Sequence, residues 1–213
     1  MYFIAEIGSC HMGKLDYAKE AIDLAAEAGA DVCKFQLFRG KQYTKSGNIE
    51  LSEDLWRDIV EYAKDRIPVT ASVFDKHTYL MIRGCSGLPF IKFAYSQLHN
   101  YDLQSRAYRA GYDIIVSCDH MTYKIPHHKA KKLYCVPEYP VKYKIDFEGC
   151  FPKFDGFSDH TYGLEQTFAA VRRGAQIIEK HFKLDHDDIV CPDAEFAITP
   201  NKLRVLVKHL REI

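Results

Sequence analysis

The feature that most constrains this sequence is a recurring unit in which a glycine ends a helical pattern and a buried strand follows. The segments AGADVCKF, AGYDIIVS and RGAQIIEKHF all have this form. Strands that are apolar throughout are typical of a parallel sheet covered on both faces. About eight such units predict an α/β fold of the (β/α)8 TIM barrel type, with a doubly wound sheet as the alternative.

The length of the chain restricts how such a barrel can be built. The chain has 213 residues, whereas these barrels typically need about 250. A barrel therefore fits only if it is compact and has shortened helices, and we expect a very short helix between Lys124 and Lys132. The pattern contains no linker, so we expect a single barrel domain over residues 1–213.

Local signals indicate where several elements begin. A strand is expected from Phe3, and a helix from Leu15 with apolar residues at helical spacing. Ser52 is a candidate N-cap before a second helix whose first turn is acidic. Thr199 followed by Pro200 is typical of the start of a helix and predicts a C-terminal one.

The composition excludes several classes of protein. Lysine plus arginine is 29 and aspartate plus glutamate is 29, which argues against an electrostatic nucleic-acid binder. The apolar runs are far shorter than the ~18 residues that a membrane span needs, and the N-terminus does not resemble a signal peptide. Seven cysteines without a C-x-x-C pair indicate free thiols in a reducing compartment. We therefore expect a cytoplasmic protein with no nucleic-acid or membrane partner.

Polar side chains collect at the expected carboxyl ends of the strands, where barrels carry their active sites. Lys34 and Gln36 alternate along one strand, so they should point to the same side of it. Glu179 and His181 alternate along another strand in the same way, whereas Lys180 between them should face the other side. Charges within apolar strands are costly to bury unless they are paired or used. The set comprises Glu6, Lys34, Gln36, Ser72, Lys92, Tyr139 at the end of the sixth strand, Ser158, Asp159 and His160 at the end of the seventh, and Glu179 and His181 on the eighth.

These residue types limit the chemistry. Two lysines with nearby hydroxyls suit a phosphate or carboxylate ligand. His160 and His181 on adjacent strand ends suit a divalent metal with open positions, and Asp159 and Glu179 are candidates for orienting their rings. The pattern therefore predicts a small, anionic, phosphorylated substrate that is handled beside a metal.

Other histidines have weaker claims to a function. His11 could join the site or be an exposed loop residue. His120, His127 and His128 are expected on the surface, in and near a KIPHHKAKK run that favours a solvated helix face. The loop from His186 to Asp188 is interpreted as a polar lid rather than a second metal site.

Several segments resemble one known family over nearly the whole chain. The opening IAEIGSCHMGKLDYAKEAIDLAAEAGADVCKFQLF resembles that of the N-acetylneuraminate (sialic acid) synthase family, which reads EIG-x-x-H-x-G, a helix, and GAD-x-x-KFQ. FSDHT from Phe157, IEKHF from Ile178 and CPD from Cys191 resemble the family's SDHT, E-K/R-H-F and GPD segments, in the same order.

The resemblance implies a (β/α)8 barrel enzyme that condenses phosphoenolpyruvate with a sugar aldehyde such as N-acetylmannosamine. The products would be phosphate and a 2-keto-3-deoxy sugar acid. It implies a divalent metal, Mn²⁺ or Mg²⁺, on His160 and His181, and a proton-handling role for Glu6. It further implies that Lys34, Ser72, Lys92 and Ser158 hold phosphoenolpyruvate and that Gln36, Tyr139 and Asp193 line the sugar side.

The sequence also departs from the family. Pro137 stands where the family has asparagine, and after Lys92 the segment FAYSQ requires Tyr95 or Ser96 to replace a serine-containing turn. We expect no C-terminal antifreeze-like domain, and a homodimer is among the expected assemblies. A Schiff-base aldolase using Lys92 or Lys34, and an inactive barrel that serves as a binding or assembly subunit, are the alternative functions.

Overall fold

Eight parallel strands close into a barrel in which each strand pairs with the next and the eighth pairs with the first. The computed structural model describes residues 1–39, 49–122, 129–151 and 153–212. The barrel prediction is therefore confirmed over the doubly wound alternative. The strands are β1 (Tyr2–Gly8), β2 (Val32–Leu37), β3 (Val69–Val73), β4 (Ile91–Phe93), β5 (Ile114–Cys118), β6 (Lys131–Tyr134), β7 (Gly156–Asp159) and β8 (Ile177–His181).

Short helices cover the outside of the barrel. As predicted, helices begin at Leu15 and Pro200, and Ser52 caps another by accepting a hydrogen bond from the Leu55 amide at 3.2 Å. No helix in the described ranges is long and apolar enough to cross a membrane. The α-helices are α1 (Leu15–Glu27), α2 (Glu53–Ala63), α3 (Lys76–Arg83), α4 (Tyr101–Arg109), α5 (Glu165–Arg172) and α6 (Pro200–Glu212), with 3-10 turns at Tyr95–Gln97 and Pro192–Glu195.

The glycines of the three recurring units have the predicted conformation. Gly29, Gly111 and Gly174 follow α1, α4 and α5 with φ of 79°, 89° and 105°. These left-handed values are strained for residues with a Cβ, and they reverse the chain from the helix into the next strand. The repeated glycine therefore marks where each of these three helices ends and the chain turns toward the next strand.

Two predictions around β6 are wrong. Lys131 and Lys132 lie in β6 and not in a helix, while residues 123–128 lie outside the described part of the chain. The strand ends at Tyr134, so Tyr139 is in the loop beyond it. Pro137 cannot extend the strand toward Tyr139, because proline has no amide hydrogen to add to a ladder of strand hydrogen bonds.

The barrel interior has an apolar floor and a polar layer above it. Because inward-facing positions recur every second residue, several polar side chains of the layer lie two residues beyond an apolar residue of the floor. Glu6 follows Ile4, and Lys34 follows Val32. The polar layer therefore lies toward the carboxyl end of the barrel. The floor is formed by Ile4, Val32, Phe90, Ile115, Leu133 and Ile177, all at most 9% exposed.

Candidate functional site

Two lysines of the polar layer share two acidic residues. The Lys34 ammonium contacts the Glu6 carboxylate and lies 3.5 Å from an oxygen of Glu179. The Lys92 ammonium lies 3.7 Å from the other Glu179 oxygen. All four side chains are buried. Glu179 therefore links both lysines, whereas the sequence pattern indicated only a supporting role for it.

Hydroxyl groups complete this layer. Lys34 donates a hydrogen bond to Ser72 Oγ at 3.0 Å, and Lys92 donates one to Ser117 Oγ at 2.6 Å. Ser158 donates to Glu179 at 2.7 Å. Sequence reasoning missed Ser117, which lies two residues beyond the inward-facing Ile115 on β5. That alternation was the available signal.

The pKa values of the two acids of the layer are shifted in opposite directions. Burial raises the pKa of Glu6 to about 8, with Lys34 opposing the rise and Glu179 adding to it. Burial also acts on Glu179, but its two lysine neighbours dominate and lower its pKa to about 2. Glu179 is therefore the permanent anion, and Glu6 is the acid that can exchange a proton near neutral pH.

The two lysines also differ. Burial opposes the charge of Lys34, but Glu179 and Glu6 together raise its pKa. Burial lowers the pKa of Lys92; the attraction of Glu179 opposes this shift, whereas the repulsion by Lys34 adds to it. Lys34 is therefore the more firmly charged of the two ammonium groups.

The predicted metal ligands lie side by side at the edge of this layer. The ring centroids of His160 and His181 are 5.7 Å apart, and both rings are buried. Burial lowers the pKa of His160 to about 4 and that of His181 well below its ordinary value. His160 lies 3.4 Å from both the Val136 carbonyl oxygen and Ser158 Oγ. Both rings are therefore neutral at pH 7, the state in which imidazole binds a metal.

Asp193 lies beside the second histidine. Its Oδ2 is 3.7 Å from Nδ1 of His181, and neither atom has a hydrogen-bond partner among the described residues. A side chain at Gly8 would place its Cβ 2.5 Å from that oxygen, so glycine allows the close approach. Burial raises the pKa of Asp193 to about 6. Asp193 therefore lies at the histidine end of the site, next to the unpartnered nitrogen.

These groups fit a metal with few protein ligands. Two neutral imidazoles lie together, and Nδ1 of His181 is buried without a hydrogen-bond partner in the described part of the chain. In the ranges that the structure describes, no group of three His, Cys, Asp or Glu side chains is arranged to hold an ion. The fit therefore rests on His160 and His181 alone, and it leaves coordination positions for other ligands.

The prediction that Asp159 orients a histidine ring is wrong. Asp159 faces outward from the barrel, where its carboxylate lies 3.2 Å from the Lys180 ammonium. Its position on β7 is adjacent to the inward-facing Ser158, so the two side chains point to opposite faces. Glu179 accepts a hydrogen bond from Ser158, whose Oγ lies 3.4 Å from the ring of His160.

The site opens into a small cavity of about 30 Å³ at the carboxyl end of the strands. Of the ten predicted site residues it includes all but Glu6, which lies against Lys34, and Asp193, which lies beside His181. Tyr139 reaches the cavity from its loop, with its ring 4.2 Å from that of His160. The lining residues are Lys34, Gln36, Ser72, Lys92, Ala94, Tyr95, Ser117, Tyr139, Ser158, His160, Glu179 and His181.

Some departures from the family pattern can now be placed. Tyr95 lines the cavity and donates a hydrogen bond to Asp119 at 2.8 Å, whereas Ser96 is exposed. Tyr95 is thus the candidate replacement for the serine-containing turn. Pro137 is exposed and does not line the cavity.

His11 and His120 do not line the cavity. His11 is buried, which excludes the exposed alternative, and its Nδ1 accepts a hydrogen bond from the Gly13 amide at 3.0 Å. His120 is exposed as predicted. His127 and His128 lie outside the described residues.

The predicted lid loop is attached to α1. The ring of His186 stacks on Tyr17 at 4.5 Å and its Nε2 lies 2.7 Å from Glu20. Asp188 pairs with Lys14 at 2.5 Å. These contacts attach the loop between β8 and α6 to the start of the first helix. They give no second metal site within the described ranges.

Comparisons with known proteins point to one family. The NeuB family model matches residues 39–213. The chain is 28% identical to the N,N'-diacetyllegionaminic acid synthase of Campylobacter jejuni, covering 99% of this chain and 75% of that protein. It is 27% identical to human N-acetylneuraminate-9-phosphate synthase, covering 99% and 69%. The crystal structure of the N-acetylneuraminic acid synthetase of Leptospira borgpetersenii superposes with a TM-score of 0.82 at 27% identity, covering 99% and 82%.

Proposed function

Because the chain belongs to the NeuB family, we propose that it condenses phosphoenolpyruvate with a sugar aldehyde to form a 2-keto-3-deoxy sugar acid and phosphate. The observation that carries this proposal is the convergence of two buried lysines and two neutral histidines on one cavity. The named synthases among the relatives support a sugar acid of the sialic acid type as the product.

The lysine end of the cavity suits the phosphate and carboxylate of phosphoenolpyruvate. Lys34 and Lys92 supply positive charge, and Ser72, Ser117 and Ser158 supply hydroxyl groups within one layer. Charge-assisted hydrogen bonds in a buried site are stronger than those between neutral groups. Substrate oxygens would exchange for the carboxylate contacts that the two lysines make in the structure.

Glu6 suits the proton transfer. In the proposed reaction a carbon–carbon bond forms between the enolpyruvate and the aldehyde carbon, water adds, and the bond to phosphate breaks. One proton leaves the water, and one joins the aldehyde oxygen as it becomes a hydroxyl. With a pKa of about 8, Glu6 can hold or release such a proton near neutral pH.

The histidine end suits the aldehyde. His160 and His181 would hold a divalent metal, Mn²⁺ or Mg²⁺, which when bound supplies Lewis acidity toward the aldehyde oxygen. Tyr139 packs against His160, and Asp193 lies beside His181. We assign these two residues, with Gln36 on the cavity wall, to the sugar side.

One observation favours a second candidate, a Schiff-base aldolase. Burial lowers the pKa of Lys92, and a desolvated lysine is a better nucleophile. Incubation with pyruvate and borohydride distinguishes the two, because only the aldolase would gain a covalent adduct on Lys92. The third alternative, an inactive barrel, is disfavoured by the close grouping of Glu6, both lysines and both histidines.

The direct test measures phosphate release. Purified protein is incubated with phosphoenolpyruvate, Mn²⁺ and a panel of N-acetylated hexosamines and pentoses, and we expect phosphate release that depends on one class of aldehyde.

A second experiment tests the metal. A chelator should abolish the activity, and Mn²⁺ should restore it. His181→Ala should fold but lose Mn²⁺ binding, as measured by calorimetry. Full activity in excess chelator would refute the metal assignment. If none of the aldehydes in the panel led to phosphate release from phosphoenolpyruvate, the synthase proposal would be refuted.

A further inference from the structure

Two cysteines far apart in sequence meet beside the site. The sulfur atoms of Cys10 and Cys191 lie 2.7 Å apart, although 181 positions separate them along the chain. Cys10 is buried in the turn after β1, and Cys191 is partly exposed at the start of the 3-10 turn Pro192–Glu195. The CPD segment at Cys191 resembles a family segment that reads GPD. This chain therefore has a thiol where the family segment has a glycine.

No other two thiols are paired in this way among the described residues. All seven cysteines are free. Cys85 contacts the Met81 carbonyl oxygen at 3.6 Å, and Cys150 lies 3.2 Å from His120. The contact between Cys10 and Cys191 is therefore a specific pairing of two thiols.

We propose that Cys10 and Cys191 form a reversible disulfide by exchange with a low-molecular-weight disulfide such as glutathione disulfide. The partly exposed Cys191 attacks the small disulfide as a thiolate, forms a mixed disulfide and releases one small thiol. Cys10 then attacks the Cys191 sulfur and releases the second. Two protein thiols are oxidised to one disulfide, and the small disulfide is reduced to two thiols.

The surroundings of the two sulfurs support this order of attack. The pKa of Cys191 is lowered by its hydrogen bond with Cys10 and by the backbone amides of Ala194 and Asp193. The same hydrogen bond, together with burial, raises the pKa of Cys10. The more acidic and more accessible thiol reacts first with an external disulfide. The buried thiol is then already in contact with the sulfur it must attack.

The disulfide would tie together two segments that flank His181. Cys10 follows Gly8, and Cys191 precedes Asp193 by two residues; the Asp193 carboxylate lies between Gly8 and the His181 ring. Oxidation would therefore fix the segment that carries Asp193 to the turn after β1. Because the cross-link closes a very long loop, we expect it to raise the melting temperature by about 5–10 °C.

The test counts thiols in the full chain. The protein is equilibrated with mixtures of reduced and oxidised glutathione, quenched with an alkylating agent, unfolded and analysed by mass spectrometry. We expect seven free thiols in the reduced mixture and five in the oxidised one, with one cross-linked peptide pair containing Cys10 and Cys191.

Three variants make the result specific. Cys85→Ser, a change at another partly exposed thiol, should still form the cross-link. Cys10→Ser should stop at a glutathione adduct on Cys191, and Cys191→Ser should form neither product. Circular dichroism checks that each variant folds. Seven free thiols in the oxidised wild type, or a cross-link between other cysteines, would overturn the proposal.

Discussion

The molecule buries charges in two places, inside the barrel and outside it, and the two sets are built differently. Outside, Lys180 pairs with Asp159 at 3.2 Å and donates to the Thr161 carbonyl at 2.5 Å. Asp159 also accepts hydrogen bonds from the Thr161 amide and hydroxyl and from the Thr167 hydroxyl. Both charged groups of this outer pair therefore have hydrogen-bond partners.

The inner set is less completely partnered. Both oxygens of Glu6 and one oxygen of Glu179 lack a hydrogen bond among the described residues, although lysines lie near them. Two acids and two lysines crowd together there, and the pKa of Glu6 is raised. Removing one partner of a fully paired buried charge destabilises the fold, whereas an incompletely partnered charge is available to a ligand. Burial of a lysine does not by itself distinguish the two.

The largest change in the free energy of unfolding is expected when the outer pair is broken. Asp159→Ala should lower the free energy of unfolding by about 3–5 kcal/mol, because it leaves Lys180 buried without its counter-ion. Urea denaturation measures this. The matched variant Glu6→Gln, also a buried acid beside a lysine, should not lower the stability at pH 7. Equal losses in the two variants would remove the distinction between the inner and outer sets.

The second prediction uses pH. The folded protein holds a proton on Glu6 up to a pKa of about 8, whereas the unfolded chain releases it near 4.5. Between these values the folded state binds more protons, so this group's contribution to stability falls as pH rises. Glu6→Gln should therefore gain about 2 kcal/mol or more relative to wild type between pH 5 and pH 8. A pH-independent difference in urea denaturation would contradict the raised pKa.

The third prediction concerns the ligand. Lys92→Ala should weaken phosphoenolpyruvate binding by about ten- to a hundred-fold, because a charge-assisted hydrogen bond contributes roughly 1.5–3 kcal/mol. Isothermal titration calorimetry measures the affinity. The control is Lys131→Ala, which removes an exposed lysine elsewhere on the barrel and should leave the affinity unchanged. An unchanged affinity in Lys92→Ala would remove this residue from the site.

The smallest effect is expected at Ser117, which holds the Lys92 ammonium. Ser117→Ala should weaken phosphoenolpyruvate binding about three- to ten-fold, the size of one net hydrogen bond. In a Lys92→Ala background the same change should have little further effect, since the group it positions is gone. Additive losses in the double variant would mean that Ser117 acts independently of Lys92.

The sequence predicted the elements that depend on local signals. Glycine after a helix, Ser52 before one and Pro200 at the start of another act over a few residues, and these features appear in the structure as expected. The alternation along a strand also placed Lys34 and Gln36 on one side, and both line the cavity. Local spacing was therefore enough for most of the site.

The errors arose where position depends on distant parts of the chain. Tyr139 lies beyond β6, yet it enters the site because its ring packs on His160 from the next strand. Glu179 links both lysines because β8 closes the barrel between β7 and β1, so that its inward side chain meets Lys34 of β2 and Lys92 of β4 in the barrel interior. The outward direction of Asp159 followed from alternation, but its partner Lys180 was identifiable only from the register between β7 and β8.

The apolar floor also bears on the order in which substrates bind. Six buried apolar side chains close the amino end of the barrel, so molecules enter and leave the site through a single mouth. The lysine layer lies directly above this floor, and Tyr139 stands at the rim with 55% of its surface exposed. An anion held by the lysines would lie deeper than an aldehyde near Tyr139. A reactant in the outer position would obstruct the inner one, so we expect the anion to bind first and the sugar second.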